Sequence, residues 1–292
     1  MTCSTLYTAL ITPFQEGSLD SSGLQSLIER QLEASVPGLL VLGSTAEALS
    51  LTSQEKMEIY HCARAQWTRK SLMVGCGSHP TQRAIEECAL YTDADALLVA
   101  CPSYSRPTQE GLLRHFLTLA DKTSVPIVLY NHPKRTGVNL EATTTIELAK
   151  HPQIIGIKET HFANILPLTI HLRETSFSVM TGNDNEAYAG ALLGTTGTIS
   201  TLSNLLPRDM LSLMEAALEK DYRAADALYK ELAPLMEQLD QVSNPIALKA
   251  AMEHFALPSG SPRLPLLPLE NTLREKLQHL LDLCFANSLS AF

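Results

Sequence analysis

Ile154-Ile155-Gly156-Ile157-Lys158-Glu159-Thr160 is the stretch on which the fold and the chemistry both turn. The apolar run is too short for a helix and reads as a buried strand. Its apolarity is continuous rather than alternating, so both faces are covered, as in a parallel strand sheathed by helices. Lys158 closes the run, which sets a primary amine at a strand end beside an apolar interior. A lysine amine that sheds its proton attacks carbonyl carbon, which makes Lys158 a candidate Schiff-base residue. The competing use is that of a plain strand-end lysine reaching water along its stem. Its neighbours in space decide between the two.

Outward from this run, seven more of the same kind are spaced along the chain: Leu6–Thr12, Gly38–Gly43, Ser71–Gly75, Ala96–Cys101, Val125–Tyr130, Phe177–Thr181 and Gly197–Ser200. Helical patterns lie between them. Ser22–Glu33 sets Leu24, Leu27, Ile28 and Leu32 on one face, Ser53–Ala65 opens on a cap-like Ser53, and Thr81–Tyr91, Thr108–Ala120 and Glu141–Lys150 follow. The last of these stops before His151-Pro152, where proline cannot continue a helix. The unit recurs every ~20–35 residues, about the length of one βα unit. Eight units predict a (β/α)8 TIM barrel. A doubly wound open sheet is the alternative, and the lack of a G-x-G-x-x-G or P-loop after any strand speaks against it. Past Tyr222 the strand signal ends, and Ala224–Leu239, Pro245–Phe255 and Glu270–Phe285 read as three helices. The expected organisation is therefore a catalytic barrel over 1–222 with a C-terminal helical extension over 223–292.

Composition narrows the function. The 292 residues are 45% hydrophobic and 18% charged, enough to bury a large core. A net charge of −9 argues against nucleic acid or an anionic membrane as partner, and one tryptophan gives no base-stacking platform. Six cysteines, at 3, 62, 76, 88, 101 and 284, include no C-x-x-C, which fits reduced thiols and a cytoplasmic chain. The nine histidines have no ligand spacing, so no metal is expected. The N-terminus does not read as a signal peptide, and no apolar run is long enough to cross a bilayer.

In such a barrel the active site gathers at the C-terminal ends of the strands. The second strand ends in Gly43-Ser44-Thr45-Ala46-Glu47, the fourth in Cys101-Pro102-Ser103-Tyr104-Ser105-Arg106, and the fifth in Tyr130-Asn131-His132-Pro133-Lys134-Arg135. The sixth ends in Lys158-Glu159-Thr160 and the seventh in Gly182-Asn183-Asp184. Hydroxyls, phenols, a guanidinium and an amine thus meet at one mouth, a set suited to carbonyl chemistry through an imine. Each also has a plainer use: Ser44 and Thr45 as helix caps, Tyr130 as a core phenol, Tyr104 as a loop aromatic, Arg135 as a solvated turn residue. Gly194-x-x-Gly197 is read as a place where backbone amides approach a small carboxylate, a weak echo of a phosphate grip with no basic residue after it.

Together the Thr8–Phe14 opening, Gly43–Glu47, Pro102–Gly111, Tyr130–Gly137, Gly156–Glu159 and Asn244-Pro245 resemble the dihydrodipicolinate synthase family of pyruvate-dependent class I aldolases and lyases. The resemblance implies that pyruvate condenses with Lys158 and that the resulting enamine attacks L-aspartate 4-semialdehyde. The product is 4-hydroxy-tetrahydrodipicolinate, on the route to diaminopimelate and lysine. It implies Tyr130 as general acid/base, with Ser44 and Tyr104 as its proton relay, the latter crossing from a neighbouring subunit of a homodimer or homotetramer. Thr45, Ile199, Gly182 and nearby backbone would hold the pyruvate end, and Arg135 would pair with the semialdehyde carboxylate. No cofactor is implied beyond the covalent imine with substrate. Alternatives within the superfamily are an N-acetylneuraminate lyase or a 2-keto-3-deoxy-sugar-acid aldolase. From another class comes a non-catalytic barrel that binds a 2-keto acid.

Two departures from the family carry expectations. Ala46 stands where glycine is usual, so a positive φ there would cost about 1 kcal/mol. At the positions matching the lysine-feedback site stand Ala48, Leu49, Ser53, Lys56, His79, Arg83 and Ser103. Lys56 and Arg83 would repel the ligand's ammonium, which predicts weak or absent inhibition by L-lysine.

Overall fold

Eight parallel strands close on themselves in the computed structural model, which describes residues 3–68, 71–77 and 80–287. They are β1 (Leu6–Ala9), β2 (Gly38–Val41), β3 (Ser71–Cys76), β4 (Ala96–Ala100), β5 (Ile127–Asn131), β6 (Ile154–Glu159), β7 (Ser178–Thr181) and β8 (Gly197–Ser200). Sequential neighbours pair in order, and β1 closes the ring by pairing with β8 through Tyr7↔Ile199 and with β2 through Thr8↔Leu39. The predicted TIM barrel is therefore the fold, and the open sheet is excluded. Most predicted runs are too long by one or more residues at an end. The extra residues, such as Leu10–Thr12 after β1, are buried loop rather than ladder.

The continuous apolarity has the cause expected of it. Within β5, Val128 and Tyr130 point into the barrel, while Ile127 and Leu129 pack outward against helices. The inner layer is Tyr7, Ala9, Leu40, Met73, Ala96, Leu98, Val128, Tyr130, Met180 and Ile199. A second, larger core lies between strands and helices. One detail is not written in the pattern: β5 and β6 pair Ile127 with Ile154 but Val128 with Gly156, so Ile155 is an extra residue. This bulge resets the register so that Tyr130 faces Lys158 directly.

The helices start where side-chain oxygens can take free N–H groups. In α1 (Ser21–Glu33) Asp20 accepts from Gly23 N at 2.8 Å. In α2 (Ser53–Gln66) the cap is Thr52, not Ser53: its Oγ1 accepts from Glu55 N while the Glu55 carboxylate accepts from Thr52 N, a capping box. After α3 (Thr81–Cys88), α4 (Gln109–Lys122) is capped by Thr108. Then come α5 (Ala142–Leu148), α6 (Ile165–Leu172), α7 (Ala187–Leu192) and α8 (Pro207–Leu218). The C-terminal segment is α9 (Tyr222–Leu239), α10 (Ile246–His254) and α11 (Asn271–Asn287). Leu232, Leu235, Met236, Ala251, Met252, Leu277 and Leu281 of these helices belong to the same buried core as the outer faces of the strands. Among the described residues no helix is long and apolar enough to cross a membrane. All six cysteines are free thiols.

Candidate active site

A cavity of about 560 Å³ opens at the C-terminal ends of the strands. Its inner wall is Ser44, Thr45, Tyr130, Lys158, Gly182 and Thr201. Its outer wall is Met236 and Leu239 of α9, the link Asp240–Asn244, and Leu248 of α10. The C-terminal helices, whose placement the sequence leaves open, thus roof the mouth of the barrel.

At the base, Lys158 is 4% exposed and its Nζ lies 4.8 Å from the centre of the Tyr130 ring. The two residues are paired in register on adjacent strands, so both side chains project to the same side. Gly182 makes room for the lysine: a Cβ there would come within 2.8 Å of Lys158 Cε and 2.6 Å of Thr160 Cγ2. Alternation along β6 sends Glu159 the opposite way, into a buried polar knot. Its carboxylate accepts from Asn131 Nδ2 at 2.8 Å, Asn164 Nδ2 at 3.0 Å and His161 N at 2.7 Å. Burial outweighs these bonds and pushes the Glu159 carboxyl up to about 7.

Thr45 faces the cavity and accepts a hydrogen bond from Asn244 Nδ2 at 2.9 Å. Arg135 lies in the short helical turn Pro133–Thr136 at the rim, where its Nη2 donates to the Asn244 carbonyl at 3.1 Å. One residue of the roof therefore touches both ends of the site. His132 stacks edge-on against Tyr130 with ring centres 5.8 Å apart. Burial, with Arg135 and Lys158 nearby, pushes its imidazole down to about 4, so the ring is neutral at pH 7. Also lining the cavity, Asp184 is tied through Oδ2 to the Thr201 and Leu202 amides, and Glu186 accepts from Asn183. Burial raises the carboxyls of Asp184, Glu186 and Asp240 alike.

Six of the eight predicted site residues, Lys158, Tyr130, Ser44, Thr45, Arg135 and Gly182, line this one cavity. Ile199 lies a layer deeper, fully buried inside the barrel. Tyr104 is not brought to the cavity of its own chain. It is 98% exposed on a loop where both it (φ 68) and Arg106 (φ 47) are left-handed. Asp240, Glu186 and the roof link carry no strand-end signal and escape sequence reading. A lysine buried in the otherwise apolar run Ile246–Met252 was the available hint that α10 matters.

Three expectations need correction. Ala46 is not left-handed: its carbonyl accepts from Thr12 Oγ1 at 2.8 Å, and the left-handed residue is the next one, Glu47 (φ 53). Alanine is therefore at home at position 46. Gly194 lies just before β8 and Gly197 opens it, so both sit at the opposite end of the barrel from Lys158, where they cannot serve a ligand at the mouth. Lys56 is not a bare charge, because Glu87 pairs with it at 3.0 Å, while Arg83 is exposed. His79 lies outside the described residues. Among the described residues no group of three or more His, Cys, Asp or Glu side chains is placed to hold a metal ion.

A relative from Protochlamydia amoebophila named 4-hydroxy-tetrahydrodipicolinate synthase is 39% identical over 285 residues, 95% of each chain. The solved 4-hydroxy-tetrahydrodipicolinate synthase of Methylacidiphilum fumariolicum superposes with a TM-score of 0.94 at 33% identity, covering 98% of this chain and 97% of that one. The dihydrodipicolinate synthase of Acinetobacter baumannii, solved in complex with pyruvate, gives 0.92 at 33% identity over 96% and 98%. The profile of the dihydrodipicolinate synthetase family matches residues 2–283, and the chain belongs to that family.

Proposed function

We propose that this chain condenses pyruvate with L-aspartate 4-semialdehyde through an imine on Lys158, giving 4-hydroxy-tetrahydrodipicolinate. The observation that carries this reading is the facing pair at the base of the cavity: a buried amine 4.8 Å from the Tyr130 ring, below a rim that holds Arg135. The Lys158 amine adds to the keto carbon and water leaves. Loss of a methyl proton gives the enamine, which attacks the aldehyde, and the semialdehyde's own amine then displaces Lys158 as the ring closes. Tyr130 is the only phenol among the residues lining the cavity, which suits it to pass protons in these steps, with Ser44 as its neighbour in the relay. Thr45 and the backbone near Gly182 hold the pyruvate carboxylate. The imine supplies the electron sink, so no further cofactor is needed.

Arg135 favours this substrate over a sugar acid. A planar guanidinium matches a carboxylate, and Lys134 stands beside it on the same wall. A polyol tail would ask for neutral donors and acceptors there. Tyr104 completes the relay from a second copy of the chain, which makes the active form at least a homodimer, as a dimer or a tetramer. The free thiols suit the reducing cytoplasm.

Borohydride reduction in the presence of pyruvate is expected to leave a reduced pyruvyl adduct on the peptide carrying Lys158, and none in Lys158→Ala. Arg135→Ala is expected to raise the KM for semialdehyde by roughly 100-fold and to leave that for pyruvate within about twofold. Absence of the adduct in the wild type removes imine chemistry. Cleavage of sugar acids without semialdehyde turnover decides for a lyase.

A further inference from the structure

Two residues beyond Thr45, the chain enters the left-handed region at Glu47 (φ 53). A non-glycine residue holds that conformation only where its surroundings insist on it. Here they do. Glu47 Oε1 meets Lys249 Nζ of α10 at 2.6 Å, with both side chains at most 3% exposed. Glu47 Oε2 accepts from Arg263 N at 2.8 Å. Lys249 Nζ and Arg263 Cζ each lie 4.2 Å from the centre of the Phe14 ring. Around the turn itself, Glu47 N donates to Ser44 O at 3.1 Å and Ser50 N to Glu47 O at 2.8 Å. On the α10 side, Lys249 follows Leu248, which lines the cavity, and lies five residues beyond Asn244, which donates to Thr45.

A buried ion pair is a poor choice for mere stability, since well-packed apolar side chains of similar volume hold two helices as well or better. What a pair supplies is direction: one carboxylate, fixed by one amine, sets the angle at which the turn leaves β2. We propose that Glu47 and Lys249 are positioning residues for the keto-acid half of the site, holding the Ser44–Thr45 turn against the roof so that Thr45 Oγ1 faces the cavity. The proposal rests on the reading above in which Thr45 binds the pyruvate carboxylate.

The test compares wild type, Lys249→Met, Thr45→Val and the double variant in borohydride trapping at graded pyruvate concentrations and in steady-state turnover. Lys249→Met is expected to raise half-saturation by pyruvate roughly tenfold while the semialdehyde KM stays within about twofold, a split that loosening of the whole fold does not produce. In the Thr45→Val background, Lys249→Met is expected to add less than about twofold, because both changes act on one contact. If Lys249→Met does not fold, Lys249→Arg and Glu47→Asp, which keep both charges and alter reach, are expected to show the same selective rise. Unchanged pyruvate half-saturation, an equal rise for both substrates, or effects that multiply in the double variant overturn the proposal. Wild type that no pyruvate concentration can trap overturns the functional reading itself, and the positioning role with it.

Discussion

Lys158 and Gly182 fit one another as side chain and gap. Gly182→Ala places a methyl group against the stem of the lysine, so the amine must swing from its place beside Tyr130. We expect the trapping rate with pyruvate to fall roughly tenfold, with a stability loss of about 1–3 kcal/mol by urea unfolding. An unchanged trapping rate shows that the gap does not set the amine's position. Glu159, next to the lysine but on the other face, gives a pH signature. Its carboxyl is raised in the folded chain from 4.5 to about 7, so the folded state holds a proton that the unfolded state has lost across that window. Its contribution is therefore fully present below pH 4.5 and fades as pH rises through 7. In urea titrations the advantage of wild type over Glu159→Gln is expected to shrink from pH 4.5 to 7 and then level off. A difference independent of pH removes Glu159 as the titrating group. Sequence reading found the lysine because a lone amine breaks an apolar run, and Tyr130 because it ends one. It could not find the proton on Glu159, which depends on how completely Asn131, Asn164 and the barrel wall exclude water.

Elements were legible in kind and less so at their ends. Strands announced themselves through apolar runs because each is covered on both faces. Their limits blurred because buried loop residues such as Leu10 and Ile11 are as apolar as ladder residues. The cap of α2 shows the same limit: Thr52 and Ser53 are both capping residues, and only the reciprocal bond to Glu55 picks the first. Thr52→Ala is accordingly expected to cost about 1 kcal/mol, read as a lowered urea midpoint, with kcat unchanged. A loss as large in Ser53→Ala would return the cap to Ser53. The bulge at Ile155 had no signal at all, since an extra residue in a ladder shows only when both strands are aligned.

At the level of the whole molecule, the barrel and its C-terminal helices share one core and one cavity. The sequence shows a change of pattern near Tyr222 but not what the later helices touch, because a roof is recognisable only from the mouth it covers. A chain ending at residue 222 leaves bare the barrel-side surfaces that Leu232, Leu235, Met236, Ala251 and Met252 now cover. Such a chain is expected to lack a cooperative unfolding transition by near-UV circular dichroism. A sharp transition would establish the barrel over 1–222 as a domain that folds alone.

The bond from Asn244 to Thr45 joins residues 199 apart in sequence. During synthesis the first of these leaves the ribosome long before the second, by about 10–40 seconds at ordinary elongation rates. Six of the eight strands are made in that interval, while the outer wall of the cavity does not yet exist. The outer wall, Met236 to Leu248, is thus the last part of the cavity to be made, and the mouth of the barrel gains its roof only when the final quarter of the chain has arrived.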